Sequence, residues 1–134
     1  MLIARGTERA RDSQGGASPE RDAVDLAPGR PILCRRCGAA VTSTGARIEV
    51  CGLHEHTCEN PHGWVYRIGC FAVAEGCVPV SDPSSEWSWF PGWRWQIVHC
   101  RGCGEHLGWR FVRHDGSFHG LILDRLVEET ESGG

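Results

Sequence analysis

Apolar and polar positions alternate in short runs along this chain, and nowhere do the apolar ones recur at the spacing of a three-turn amphipathic helix. The run GWVYRIGCF at 63–71, aromatic and β-branched with polar interruptions, predicts the firmest strand. PILC at 31–34 and residues 46–50 and 118–123 predict three more, and residues 95–99 and 107–112 the two arms of one hairpin. Turn chemistry separates these runs. Thr42-Ser43-Thr44-Gly45 is one turn; an irregular stretch at 54–62 ends in Asn60-Pro61-His62-Gly63; a polar loop covers 80–86. Residues 123–128 predict a single helical turn. The fold class that follows is all-β, in one domain over residues 29–128. Residues 1–28, charged and without an apolar period, predict a disordered leader, and 129–134 a flexible acidic tail.

Two Cys-x-x-Cys-Gly units punctuate the pattern: Cys34-Arg35-Arg36-Cys37-Gly38 and Cys100-Arg101-Gly102-Cys103-Gly104. Two residues between cysteines let one tight turn present both thiolates at about 2.3 Å from a Zn²⁺ ion, which favours four tetrahedral ligands. Glycine after the second cysteine accepts the positive φ such a turn needs. Four protein ligands leave no open position, so Cys34, Cys37, Cys100 and Cys103 predict one structural zinc that ties two distant hairpins together. Four thiolates leave the site at about −2, which Arg35, Arg36 and Arg101 can offset in part. A redox pair would need a thioredoxin-like βαβ context, and the pattern has none. Cys51, Cys58, Cys70 and Cys77, with His54 and His56 near the first two, could build a second metal site, but they lack the two-residue spacing and read as small half-buried thiols; the other histidines show no partner in the sequence and read as surface or core residues.

Composition narrows the partners. A net charge of −3 over 134 residues gives no basic face for nucleic acid. All 14 basic residues are Arg, scattered as at Arg5, Arg9 and Arg11, which points to the coding bias of a G+C-rich bacterium. The apolar start of MLIARGTERARDSQGG is too short for a signal peptide, and no apolar run is long enough to span a membrane. Eight cysteines in such a chain favour metal thiolates over disulfides, and hence the cytoplasm.

Five of the six tryptophans crowd around the second knuckle: Trp87, Trp89, Trp93, Trp95 and Trp109. That is a costly choice for plain core, because every buried indole N–H needs a partner. Trp95 opens one hairpin arm, Trp109 lies on the other, and Trp89 sits in the preceding loop. Counted outward from the knuckle, their face parity does not match, so a bulge at Gly104 or Gly108 is needed to bring both rings to one side. Three indoles can then wall a small dry box.

The combination Ser88-Trp89-Phe90-Pro91-Gly92 with Trp95, then the Cys-x-x-Cys, then His106-Leu107-Gly108-Trp109 with Phe111, resembles the thalidomide-binding (CULT) domain of cereblon and its small bacterial relatives. Asn60-Pro61 with Gly63 and Gly120-Leu121-Ile122 with Asp124-Arg125-Leu126 fit as well, so the resemblance covers residues 31–127. It implies a β-tent, two antiparallel sheets pinned by a Cys₄ zinc. It also implies a non-catalytic binding domain: Trp89, Trp95 and Trp109, with Phe111 beside them, enclose a glutarimide ring. The imide N–H then donates to the backbone carbonyl of Trp87, an imide carbonyl accepts from the backbone N–H of Trp89, and Asn60 and Pro61 sit on the loop over the mouth. The human member carries His where this chain has Trp87, so a side-chain hydrogen bond to the second carbonyl does not carry over, while the backbone contacts survive any side chain.

Uracil shares the acceptor–donor–acceptor edge of an imide, so uridine-like ligands are candidates, and the resemblance implies cyclised Asn or Gln at protein C-termini as natural ones. The resemblance extends to the pocket alone and implies no ubiquitin-ligase partner. Three other readings are weaker. A methionine sulfoxide reductase of the B type needs a nucleophilic cysteine on a late strand, and residues 120–126 contain none. A single-stranded nucleic-acid module conflicts with the acidic charge. A Yippee-like interaction module without a ligand is the bland reading.

Overall fold

The computed structural model describes residues 28–129; the predicted leader up to residue 27 and the tail from 130 lie outside them. Among the described residues the chain forms nine strands: β1 (Pro31–Cys34), β2 (Ala40–Ser43), β3 (Glu55–Glu59), β4 (Val65–Phe71), β5 (Cys77–Pro79), β6 (Arg94–Cys100), β7 (His106–Arg113), β8 (Gly116–Ile122) and β9 (Leu126–Glu128). They build two antiparallel sheets, one of three strands in the order β2-β1-β9 and one of six in the order β3-β4-β8-β7-β6-β5. Of the helical turn predicted at 123–128 only Leu123–Arg125 forms, as a 3-10 turn, because Leu126–Glu128 is strand β9; a second 3-10 turn, Thr44–Ala46, follows β2. Among the described residues no helix is long and apolar enough to cross a membrane.

Four further elements depart from the sequence pattern: β2 runs into the turn predicted at 42–45, and three others depart each for a local reason. The strand predicted at 46–50 does not form. The chain leaves a 3-10 turn, and Cys51 (φ 54°) and Gly52 (φ 86°) then curl it back so that Val50 pairs with Leu53. The stretch at 54–62 is not irregular throughout, because β3 occupies Glu55–Glu59 and pairs with β4 from Glu55↔Gly69 to Glu59↔Val65. β3 is an outer strand with alternating exposed positions, so its polar sequence hides it. β5 is too short to show a period; it is held by β6 through Cys77↔Cys100 and Val78↔His99.

Alternation gives the larger sheet two buried faces. On one, Phe71, Val98, Cys100, Leu107 and Leu121 pack with Ile32, Cys34, Val41 and Leu126 of the smaller sheet. On the other, Ile68, Cys70, Trp109, Phe111, Phe118 and Ile122 pack with Phe90 from the loop before β6. One sheet therefore carries the core beside the cysteines on one side and an aromatic layer on the other.

Candidate ligand cavity and metal centre

The two cysteine turns have one geometry. In the first, Gly38 N–H donates to Cys34 O at 2.8 Å and Cys34 N–H to Ala39 O at 2.9 Å; in the second, Gly104 N–H donates to Cys100 O at 2.9 Å and Cys100 N–H to Glu105 O at 2.7 Å. Gly38 (φ 80°) and Gly104 (φ 81°) take the left-handed conformation their position requires. The turns face each other across the two sheets. Cys34 Sγ lies 3.7 Å from Cys103 Sγ and Cys37 Sγ 3.6 Å from Cys100 Sγ, with all four sulfurs within 4.8 Å of one another. A tetrahedron with ligands about 2.3 Å from its centre has edges of about 3.8 Å, so the four sulfurs fit a single tetrahedral metal ion. No disulfide links them.

Of the predicted counter-charges, Arg36 pairs with Glu105 at 3.1 Å, and its pKa is raised first by Glu105 and then by Cys103 and Cys34. Arg101 donates instead to the Glu75 carbonyl at 3.2 Å, and Arg35 offers its backbone N–H to Arg125 O.

Among the described residues no second group of metal-ligating side chains converges. Burial pushes the Cys58 thiol up to about 11 and Cys70 and Cys77 up to about 12, so these three stay protonated and behave as small apolar residues. His54 and His56 engage the main chain rather than a metal. His54 Nδ1 is 3.1 Å from Ile48 O, and His56 Nε2 is 2.9 Å from Val50 O, so both rings brace the curled segment before β3. His119 is buried on β8 with its Nδ1 unpaired; burial, and then Arg110, lowers its pKa to about 4.

The hairpin β6–β7 contains the bulge that parity demands. Trp95 faces Phe111, Ile97 faces Trp109 and Val98 faces Gly108, but the next pair is His99↔His106, which leaves Leu107 as the extra residue. Gly108 (φ 155°) is required there, because a Cβ would sit 2.2 Å from Gly120 O on the neighbouring strand. Trp95, Ile97, Trp109 and Phe111 thus share one face of the sheet. They line a cavity of about 400 Å³ together with Trp89, Trp87 and Glu86 from the preceding loop, Asn60, Pro61 and His62 from the β3–β4 turn, Tyr66 and His106.

The walls are fixed by ring contacts and by the main chain. Trp89 stands edge-on to Trp109 at 4.7 Å and 75°, and Tyr66 to Trp109 at 5.2 Å and 72°. Phe111 forms the base, 1% exposed, against Phe90 at 4.9 Å and Phe118 at 5.0 Å. Trp95 donates its indole N–H to Glu86 O at 2.7 Å. Trp89 and Trp87 both donate theirs to Glu59 O, at 3.0 and 3.1 Å. That carbonyl lies at the end of β3, beside Asn60, whose Oδ1 accepts from His62 N–H and Trp64 N–H at 2.9 Å each. The loop before β6 and the β3–β4 turn are therefore tied at one point.

Trp87 is 62% exposed and takes φ 57°, a conformation that costs a bulky residue of order 1–3 kcal/mol and marks a constrained segment. Its indole N–H is committed to the Glu59 carbonyl. Among the described residues neither the Trp87 carbonyl nor the Trp89 N–H has a protein hydrogen-bond partner.

All the residues singled out for the site in the sequence, namely Asn60, Pro61, Trp87, Trp89, Trp95, Trp109 and Phe111, come together around this cavity. Trp93 does not; it packs on Phe118 at 4.9 Å and carries the Arg113 guanidinium over its ring at 4.1 Å. Sequence reasoning missed five lining residues. Ile97 and Tyr66 were reachable by period two, from Trp95 and Ile68 respectively. His106 was not, since the bulge decides its face, and His62 and Glu86 sit in turns. His106 Nε2 lies 3.1 Å from Gly108 O; a carbonyl only accepts, so Nε2 carries the proton. Burial, and then Arg125, holds its pKa below the ordinary histidine range.

No protein-family model matches the chain. Among curated proteins it is similar to cereblons. The match to Protein cereblon of Xenopus tropicalis is 48% identical over 82 residues, covering 55% of this chain and 18% of that protein. The match to the Danio rerio protein is 38% identical over 79 residues, 55% and 18%. The match to the Gallus gallus protein is 35% identical over 115 residues, 77% and 26%. The chain thus spans between 18% and 26% of the length of these relatives.

Proposed function

Taking as premise that the chain carries a cereblon-like CULT domain, we propose that its indole-walled cavity binds cyclic imides and carries out no covalent chemistry. One observation carries the reading. Trp87 and Trp89 line the cavity, and among the described residues neither the Trp87 carbonyl, an acceptor, nor the Trp89 N–H, a donor, is used by the protein. An imide edge needs this pair for its N–H and one of its carbonyls, while its methylenes need dry walls of the kind Trp89, Trp95 and Trp109 supply. The Trp87 indole is held by Glu59, so the second imide carbonyl points to solvent or to the turn at Asn60.

An imide head of about eight heavy atoms at roughly 0.9–1 kcal/mol each gives a dissociation constant of micromolar order. Glutarimide, thalidomide-type compounds, uridine-like rings and cyclised Asn or Gln at protein C-termini all present this edge. The ion for the four cysteines is, on this reading, one structural Zn²⁺, which the tetrahedral all-thiolate set favours. Unoxidised cysteines and bound thiolates suit the cytoplasm. Ubiquitin-ligase assembly is not part of the proposal. The test is a calorimetric or tryptophan-fluorescence titration of the zinc-loaded protein with glutarimide. Saturable micromolar binding supports the reading, and no binding at millimolar glutarimide would overturn it.

A further inference from the structure

The two outer strands of the larger sheet are finished differently. β5 is short and ends on Pro79, which has no N–H to offer. β3 runs from Glu55 to Glu59 beside β4 and has no strand on its other side among the described residues. The ladder tells which of its main-chain groups are spent. At one end of the β3–β4 pairing His54 O accepts from Cys70 N–H at 3.0 Å, and at the other Asn60 N–H donates to Trp64 O at 2.9 Å. Bonded positions alternate in an antiparallel pair, so His56 and Cys58 face β4 in step with His54 and Asn60, while Glu55, Thr57 and Glu59 turn their N–H and C=O groups outward. The Glu59 carbonyl agrees, since Trp87 and Trp89 reach it from outside the sheet. The N–H of Glu59 and both main-chain groups of Glu55 and Thr57 have no protein partner among the described residues.

Side chains add a charge to this open edge. Glu55, Thr57 and Glu59 are exposed and share one face. Register places Arg67 beside Thr57 on that face and Val65, itself exposed, beside Glu59. Arg67 pairs with Glu55 at 3.2 Å and lies 3.8 Å from Asp124, and Glu59 makes no ion pair among the described residues, so the edge keeps an excess of negative charge. A second copy of β3 laid antiparallel about Thr57 would set Glu55 against Glu59 twice, and like charges directly opposite disfavour that pairing. A strand with basic residues at those two places meets no such barrier.

We propose that the open edge of β3 is a docking site for an extended polypeptide of alternating, basic sequence, which adds to the larger sheet as one more strand. Main-chain bonds to Glu55, Thr57 and Glu59 fix its register. Arg or Lys residues four apart answer Glu55 and Glu59, with a β-branched residue midway opposite Thr57. The two residues between fall on the other face, opposite His56 and Cys58, where apolar side chains extend the partly buried layer that Cys58 belongs to. None of the groups used here serves the imide, so the two readings stand independently.

The experiment titrates the zinc-loaded protein with the capped peptide acetyl-Arg-Val-Thr-Val-Arg-amide at low salt and follows amide hydrogen exchange by NMR. The expected result is saturable binding. At about ten times the dissociation constant, exchange at the Glu55, Thr57 and Glu59 N–H groups should slow about tenfold, while His56 and Cys58, already bonded to β4, change little. The acidic control acetyl-Glu-Val-Thr-Val-Glu-amide is expected to bind at least about tenfold more weakly. Thr57→Pro removes an outward N–H without touching the β4 ladder, so it is expected to fold, to bind glutarimide as the wild type does, and to weaken the basic peptide at least about tenfold. Methylating the central Thr nitrogen of the peptide probes the same contact from the other side, leaves the protein unaltered, and is expected to weaken binding as much; it decides the matter should Thr57→Pro fail to fold. No binding of the basic peptide at millimolar concentration, equal affinities for the two peptides, an N-methylated peptide that binds as well, or exchange slowed elsewhere than at Glu55, Thr57 and Glu59 would overturn the proposal. Glutarimide bound without the peptide sinks this proposal and leaves the imide reading intact; peptide bound without glutarimide does the reverse.

Discussion

Replacing Trp95 by alanine tests whether register has been read correctly into a cage. The ring is partly buried, opposite Phe111 on the cavity side of β6, with its N–H on Glu86 O at 2.7 Å. Truncating a fully buried tryptophan costs about 3–5 kcal/mol of stability. Part of this ring faces the cavity, so its share falls to about 1–2 kcal/mol, which a domain of about 5–15 kcal/mol survives. The imide complex loses a wall, worth about 2–4 kcal/mol for a buried aromatic anchor, or roughly thirtyfold to a thousandfold in affinity. Trp109 is different. It is 8% exposed and touches Tyr66, Trp89 and His106, so Trp109→Ala draws on core and wall together and costs folding the full 3–5 kcal/mol as well, at about the usual core value. Calorimetry with glutarimide measures affinity without relying on the indole signal, and thermal melts by circular dichroism measure stability. A folded Trp95→Ala protein that binds glutarimide as the wild type does would refute the cage, and one unfolded at room temperature would make Trp95 core.

Other outcomes follow from single features. N-methylglutarimide should bind at least about tenfold more weakly than glutarimide, because the Trp87 carbonyl is left buried and unpaired at about 1–3 kcal/mol and meets a methyl group; equal affinities would leave only a greasy slot. Chelating the metal should unfold the domain, since four thiolates join the two sheets and their binding energy is folding energy; elemental analysis should find one zinc per chain, and circular dichroism unchanged by complete metal removal would count against it. His119 should make the protein acid-sensitive. Its pKa falls from 6.5 unfolded to about 4 folded, so the unfolded chain takes up the proton first as pH drops. The stability is full above pH about 6.5 and is lost progressively down to about 4, by roughly 3 kcal/mol in all. Urea titrations of wild type and His119→Phe across that window should differ in slope; parallel curves would remove His119 as the cause. Trp87→Gly relieves the left-handed strain at φ 57° and leaves Trp89 on Glu59 O, so imide affinity should persist; its abolition would give the Trp87 ring a role the structure does not.

What could be read from the chain followed the density of the signal. β4 and the pair β6–β7 show period two with aromatic and β-branched residues, and both cysteine turns carry fixed spacing, so their place was legible. β3 was hidden because an outer strand with one weakly buried face needs little apolar content, as Glu55, Thr57 and Glu59 show. The false strand at 46–50 has the right residues, but Cys51 and Gly52 reverse the chain behind it. The bulge was deducible from parity alone, yet its position, at Leu107 beside Gly108, depended on the close approach of Gly120. That same bulge turned His106 toward the cavity, and no local pattern reports such a rotation.

The carbonyl of Glu59 has a consequence for how this site would look to mutagenesis. It accepts two indole N–H groups at once, which uses both of its lone pairs, and it does so whatever side chain residue 59 carries. An alanine scan would pass over this position in silence. Only a change to the main chain itself, such as an ester in place of the amide that follows Glu59, would weaken that oxygen as an acceptor and loosen Trp87 and Trp89 together. A hinge of the cavity wall is thus written in the backbone, where side-chain scanning cannot see it.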